Sequence, residues 1–328
     1  MASNARTYRG TPGNLAFLAR HLRGGGIVAV PTETVYGLAG DATSEAACRR
    51  IFAAKGRPSS DPLIVHIASA RDLDLVAHPN PAALRLARAF WPGPLTIVLP
   101  KNDSVPDIAT AGLPSVAVRM PAHALFRRLI RLAGVPLAAP SANPFGYVSP
   151  TTAAHVQRSL GRKIGHILDG GSSRVGLEST IVDLRDPRHP VLLRPGAVTR
   201  GELEKVLGMP VIRGRKRAKG AQVAPGQLKR HYSPRTAVTL HARLTAAMVK
   251  AGGPREAWLF LSKPVLPVMP GNVFWLDARG DLVRASRRLF AVLRDLDEGG
   301  YRQIHVERPR GSGLAEALAD RLGRAAAR

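Results

Sequence analysis

A single cysteine, Cys48, leaves no intrachain disulfide, no CxxC pair and no thiolate-rich zinc site. No run approaches the ~20 consecutive apolar residues that a membrane-spanning helix needs. The opening MASNARTYRG has no apolar secretory segment, so a cytoplasmic chain with no membrane partner is expected. Carboxylates are scarce: 23 Asp and Glu against 48 Lys and Arg leave a formal charge of +25. Lysine is scarce as well, so arginine supplies most of that charge, through composition bias or through a need to attract anions. Aromatic residues are 5% of the chain, few for the stacking platforms of single-strand nucleic-acid binders. HExxH, a GxxxxGK(S/T) phosphate loop, a GxGxxG turn between strand and helix, and a GxSxG elbow are all missing. A nucleotide handled by this chain must be held by scattered basic and hydroxyl groups.

What is present is alternation. With 328 residues, 45% of them hydrophobic, the chain can bury a large core and suggests two domains. GNLAFLARHL (13–22), EAACRRIFAAK (45–55) and ALRLARAF after Asn80–Pro81 have helical spacing and capping residues. GIVAV, LIVHI, LTIVL, SVAVR, STIVD and VLLR read as strands. The pattern predicts an α/β unit over 10–207, with helices covering a sheet. Residues 208–236 are charged and rich in Gly and Pro, which predicts a linker or extended segment. A second, smaller α/β unit is predicted over 237–328.

The polar residues gather at predicted strand ends, where α/β proteins place ligands. KGRP puts Lys55 and Arg57 around a glycine that admits close backbone approach. The same cations would suit an ordinary helix C-terminus. Thr32, Glu33 and Thr34 follow the first strand of that unit. Ser141, Asn143, Ser149 and Thr151 crowd the loop before a helix, more groups than one cap requires. Ser115 and Arg119 share a strand, Glu178 and Ser179 precede another, and Arg194 ends a third. An arginine on an apolar strand must find an anion or reach solvent. His66 closes LIVHI, where a core hydrogen-bonding role and a ligand role both fit.

In order, PTETVYGL, KGRPSSDPLIVHI, SVAVRMP, APSAN, SPTTAAHV, GLESTIVD and LRPGAVT resemble the YrdC/Sua5 family of threonylcarbamoyl-AMP synthases. APGQLKRHYSP resembles the linker of the long two-domain form, and ASRRLFAVLRDLDEGGYRQIHVE with GLAEALADRLGRAA resembles its C-terminal domain. The resemblance implies a twisted open mixed sheet followed by a small Rossmann-like domain. It implies that L-threonine, bicarbonate and ATP give threonylcarbamoyl-AMP and pyrophosphate, for N6-threonylcarbamoyladenosine at tRNA position 37. Thr34, His66, Arg119, Ser179 and the backbone near Ala139 would hold L-threonine. Lys55, Arg57, Asp61, Ser115, Ser141, Asn143, Ser149, Arg194, Arg230 and Tyr232 would hold ATP, with Lys55 and Arg57 catalytic. Mg2+ is expected with the nucleotide, without a dedicated carboxylate cage on the chain. Asp61 stands where the family commonly has Asn, and Phe145 replaces a smaller residue. Arg230, His231 and Tyr232 would form a lid. Downstream transfer proteins are implied partners, and the charge admits direct contact with tRNA or other RNA. Two rivals are an RNA binder without catalysis, supported by RGRKRAK (213–219), and a hydrogenase-maturation carbamoyltransferase, which would want cysteine-rich zinc motifs that are missing here.

Overall fold

A computed structural model describes residues 4–214, 221–226 and 231–327. Arg230 therefore lies outside the described residues, as does most of the basic run at 213–219. The first unit runs β1 (Arg6–Arg9), α1 (Pro12–Arg23), β2 (Val28–Val30), β3 (Gly37–Asp41), α2 (Glu45–Lys55), β4 (Ile64–His66), α3 (Pro81–Phe90), β5 (Leu95–Pro100) and β6 (Ser115–Arg119). It continues α4 (Ala124–Ala133), β7 (Leu137–Ala138), α5 (Ala153–Leu160), β8 (His166–Asp169), β9 (Thr180–Asp183), β10 (Val191–Arg194), α6 (Arg200–Leu207) and β11 (Ile212–Arg213). The second unit runs β12 (Ala237–His241), α7 (Ala246–Ala251), β13 (Glu256–Ser262), β14 (Val273–Asp277), α8 (Leu282–Glu298), β15 (Gln303–Glu307) and α9 (Leu314–Ala325).

The large sheet has 11 strands in the order β1-β8-β2-β3-β7-β4-β6-β5-β9-β10-β11. Its ladders are mixed: β4 runs parallel to β6, β5 antiparallel to β6, and β9 antiparallel to β10. The second sheet, β12-β15-β13-β14, is parallel throughout, as a Rossmann-like unit requires. Local chemistry sets the helix ends. Ser44 caps α2 and Asn80 caps α3, each accepting from a backbone N–H three residues on. Gly56 ends α2 in the left-handed region, at φ 62°, where a side chain would be strained.

Side-chain alternation divides the large sheet into two faces. Ala29, Leu38, Val65, Ile97, Val118 and Val182 point to a core shared with α2, α3, α5 and α6. Val28, Val30 and Ala39 point the other way, under α1 and α4. On that second face Ile64, Val98, Ala117 and Ile181 have no helix above them among the described residues, and Val223 and Ala224 cover them instead. This uneven cover leaves a hollow at the middle of the sheet.

Three readings gain detail. The strand exit at 30–43 contains a strand of its own, β3, paired antiparallel with β2; two glycines in GLAGD mask its β character. Residues 208–236 begin with the edge strand β11, parallel to β10. Further on, Gln222 donates its N–H to Ser60 O at 3.1 Å on the first unit, while His231 donates its N–H to Arg324 O on the second.

Candidate functional site

The hollow is a cavity walled by the ends of β2, β4, β6, β9 and β10 and by the loop after β7. Of the residues singled out in the sequence, Thr32, Thr34, Arg57, His66, Arg119, Ala139, Ser141, Glu178, Ser179, Arg194, His231 and Tyr232 line it. Lys55, Asp61, Ser115, Asn143 and Ser149 are buried behind its wall rather than on it.

Arg119 ends β6 as a 3% exposed guanidinium. Its Nη2 contacts Glu33 Oε1 at 2.5 Å, Nη1 donates to Thr34 Oγ1 at 2.9 Å, and Nε donates to Gly93 O at 3.2 Å. The strand arginine has found its anion inside the protein, and Nη1 and Nη2 each keep a second N–H. Thr34 passes the chain on. Thr32 Oγ1 donates to Val35 O at 2.6 Å, so in the 2.8 Å contact between the threonines Thr34 is the donor. The PTET turn thus presents one oriented run of hydroxyls.

Arg57 donates Nε to Asp61 O at 2.8 Å and Nη2 to Pro62 O at 2.7 Å, and pairs with Asp61 Oδ2 at 3.0 Å. Burial pushes the Asp61 carboxyl up, while Arg57, Lys55 and Arg194 oppose that shift. The Asp61 carboxylate is therefore matched by a cation instead of facing the cavity. Phe145 lies with its ring 5.9 Å from the Arg57 guanidinium carbon and 6.0 Å from the His231 ring.

Lys55 is used differently from what its place beside Arg57 suggests. Its Nζ donates to Ser141 O at 2.5 Å and to Asn143 O at 2.6 Å, fastening the APSAN loop to the end of α2. Burial, and then Arg57, push its pKa well down. Asn143 braces the same loop through Pro144 O and Tyr147 O. Ser115 Oγ is buried without a partner among the described residues.

His66 has its pKa lowered to about 3, by burial first and then by Arg119, so the imidazole is neutral at any ordinary pH. Its Nδ1 lies 3.2 Å from Ile64 O, and a carbonyl only accepts, which places the proton on Nδ1. Arg194 binds Ser179 twice, Nε to O at 3.0 Å and Nη2 to Oγ at 3.1 Å, and reaches Pro225 O at 3.3 Å. Ser179 Oγ also meets Thr96 Oγ1 at 2.7 Å.

Pro225, Gly226, His231 and Tyr232 roof the cavity. A Cβ at Gly226 would sit 2.7 Å from Tyr232 Oη and 3.1 Å from Arg194 Nη1, so glycine is what lets roof and wall approach. Tyr232 holds φ 60° although it is not glycine, a strain of roughly 1–2 kcal/mol that packing must offset. Its ring lies 4.1 Å from His231, 5.6 Å from Phe290 and 5.3 Å from the Arg321 guanidinium carbon.

The sequence reading does not single out Arg321. It reaches from α9 to Glu178, a cavity residue, with Nε donating to Oε2 at 2.8 Å and Nη1 to Pro195 O at 2.9 Å. Ser149 Oγ completes this carboxylate at 2.5 Å. A signal was there: Arg321 shares the inward face of α9 with Ala317, Leu318 and Leu322, and a cation on an apolar helical stripe needs a buried anion.

Comparison with known proteins gives a consistent result. Residues 20–196 match the family Sua5_yciO_yrdC, described as telomere recombination. Residues 198–327 match Sua5_C, described as threonylcarbamoyl-AMP synthase, C-terminal domain. The chain is 43% identical to a threonylcarbamoyl-AMP synthase of Pyrococcus abyssi, over 94% of this chain and 92% of that one. It is 38% identical to the Bacillus subtilis protein of the same name, over 95% and 92%. The solved structure of P. abyssi Sua5 complexed with L-threonine superimposes with a TM-score of 0.89 at 39% identity, covering 98% of this chain and 96% of that chain.

Proposed function

The chain belongs to the Sua5/YrdC family of threonylcarbamoyl-AMP synthases, and from that membership we propose that the roofed cavity is where its substrates are joined. The enzyme makes threonylcarbamoyl-AMP and pyrophosphate from L-threonine, bicarbonate and ATP, the activated group for N6-threonylcarbamoyladenosine at tRNA position 37. In reaction class we read it as a nucleotidyltransferase. The observation that carries the site assignment is the convergence of three buried guanidiniums, Arg57, Arg119 and Arg194, on one hydroxyl-lined hollow.

The chemistry asks for little else. The threonine amine adds to bicarbonate-derived carbon to give a carbamate, water leaving. A carbamate oxygen then attacks the α-phosphorus in line, and pyrophosphate departs. Two anions must meet, so positioning and charge neutralisation carry the rate. In our reading the free N–H groups of Arg119 take the threonine carboxylate, with Thr34 and Ser179 beside it. A neutral His66 can face the threonine ammonium without repelling it. Arg57 and Arg194 take the phosphates, with Ser141 at their edge. Lys55 acts by holding the Ser141 and Asn143 carbonyls in place. The His231–Tyr232 roof keeps water from the mixed anhydride. Among the described residues no group of three His, Cys, Asp or Glu side chains could cage a metal ion, so Mg2+ would arrive on the phosphates as part of the ATP substrate.

The test is ATP–pyrophosphate exchange in the full chain. Exchange that requires both L-threonine and bicarbonate is the expected result. Exchange without them, or none in folded protein, would remove the assignment.

A further inference from the structure

A parallel sheet ordinarily buries both of its faces. The four-stranded sheet does so on the side of α8 and α9, where Val238, Leu259, Leu276, Ile304 and Val306 are consumed by the core. Strand alternation turns Thr239 and His241 of β12, and Gln303, His305 and Glu307 of β15, to the opposite side. All five are half-exposed there. The helix α7 covers only the β13 end of that side, packing Val249 and Met248 with Trp258 and Phe260. The chemistry of the roofed cavity makes no use of this open polar strip.

Its centre is a pair of histidines. His241 Nε2 lies 2.9 Å from His305 Nδ1, with ring centres 5.1 Å apart. The other nitrogen of His305, Nε2, is buried and makes no hydrogen bond among the described residues, and Glu256 Oε2 lies 3.9 Å from it. A carboxylate only accepts, so it draws the His305 proton to Nε2 and leaves Nδ1 as a bare lone pair. The Trp258 ring stacks on His305 at 4.1 Å and 13°, and Glu256 is itself held by the Gly253 N–H at 3.1 Å. His305 is thus oriented both from its face and from its far edge. A carboxylate behind an imidazole prepares the opposite nitrogen for a metal ion in this way.

The spacing agrees. Two imidazoles on one tetrahedral zinc, at Zn–N of about 2.0–2.1 Å, have nitrogens about 3.3 Å and ring centres about 5.2 Å apart. The two rings already stand at that separation and need only pivot until their nitrogens part by about 0.4 Å. The proton shared between them would pass through water to His241 Nδ1. Another close pair, His21 and His166, offers no such site: the rings meet edge to face at 4.4 Å, and His166 Nδ1 is engaged by Tyr8 Oη at 3.0 Å.

We propose that His241 and His305 form a two-nitrogen site for a divalent ion of the imidazole-preferring class, zinc or copper, whose remaining positions are filled by water. Glu256 stays behind His305 as a positioning residue and is not a ligand. With two protein ligands the site is a clip between neighbouring strands and not a closed cage. The strand β12 is an edge of its sheet and directly follows the roof segment at 231–236. The clip therefore fastens the strand through which the roof enters the second unit. The inference stands apart from the synthase reading.

The test uses the untagged full chain, stripped with a chelator and titrated with Cu2+, which such a site binds more tightly than Zn2+. Because Trp258 touches His305, one equivalent should quench tryptophan emission. The electron paramagnetic resonance signal of that complex should show coupling to two nitrogens. His241→Ala, His241→Asn and His305→Ala should each lose the one-equivalent quenching, with parental circular dichroism reporting an intact fold. Glu256→Gln should weaken binding by about 10-fold and keep the two-nitrogen coupling. His21→Ala should bind as the parent does. Saturating Zn2+ should raise the thermal midpoint of the parent by about 3 °C or more and leave that of His241→Asn unchanged. Absence of quenching at one equivalent, quenching retained in the His241 and His305 variants, or a Zn2+ shift equal in parent and His241→Asn would overturn the proposal. So would an equal loss in His21→Ala, which would assign the ion to scattered surface histidines.

Discussion

The two sheets use buried arginine in opposite ways. In the eleven-stranded sheet Arg57, Arg119 and Arg194 form the cavity wall itself. In the four-stranded unit Arg294 and Arg321 are almost fully buried, yet both reach into the other unit. Arg294 binds Val148 O and, at 3.3 Å, Ser149 O, and Arg321 binds Glu178 and Pro195 O. No described residue beyond Tyr232 lines the cavity. The smaller unit thus adds no lining group but holds the loops from which the lining is made. Buried charges are poor sources of stability, since desolvation offsets much of their attraction. They are sensitive to the loss of a partner, and that asymmetry makes the comparison testable.

The largest effect should come from the wall. Arg57→Ala should lower adenylate formation by about 1,000-fold, the scale of losing one group that stabilises developing charge. It also strands the Asp61 carboxylate, so the single variant should lose roughly 3–5 kcal/mol of stability as well. Combining it with Asp61→Asn should restore much of the stability and none of the rate; urea denaturation alongside turnover checks this. Recovery of the rate in the double variant would make Arg57 a strut like Arg321. On the other side, Arg321→Ala should cost roughly 3–5 kcal/mol by leaving Glu178 unpaired in a buried site. Its rate should fall through the disturbed loop, by far less than for Arg57. A variant with parental stability would show that the two units are independent.

A third, smaller effect depends on pH. His66 carries its proton more weakly when folded than the ordinary imidazole near 6.5, so the unfolded chain binds more protons between that value and about 3. The stability it contributes is complete above about pH 6.5 and is lost as pH falls. At pH 5 the loss is about 2 kcal/mol from this residue. His155, lowered to about 4, acts in the same direction with more solvent screening. Denaturation between pH 7 and pH 5 should therefore weaken the first unit. His66→Gln should flatten that dependence, and an unchanged slope would move its origin elsewhere.

Much of this was legible in the sequence because the signals are local. Lone apolar runs such as LTIVL and SVAVR mark central strands, and KGRP puts Arg57 after a glycine that ends its helix. What local signals cannot supply is direction. Lys55 and Arg57 are two residues apart, but the left-handed turn at Gly56 sends one into a loop and the other into the cavity. Ser149 carries the hydroxyl expected of a ligand, yet its partner is Glu178, 29 residues on. Arg321 lies 143 residues from that same carboxylate. Long-range pairing of buried charges is written in the packing of two units, and no window of sequence contains it.

The smallest effect asks whether the roof belongs to the wall or to the smaller unit. Tyr232 packs on Phe290 and under Arg321, both from that unit, while its hydroxyl points to the cavity side near Gly226. That hydroxyl faces the Arg194 guanidinium at the cavity wall. Tyr232→Phe keeps the ring and its packing, so stability should change by less than about 1 kcal/mol. If the hydroxyl is reserved for the nucleotide, KM for ATP should rise by roughly 5- to 10-fold, the value of one hydrogen bond, with kcat close to parental. Steady-state kinetics with varied ATP measures this. A lower stability with an unchanged KM would assign Tyr232 to the struts of the second sheet, and the roof would then be an extension of that unit and not part of the site.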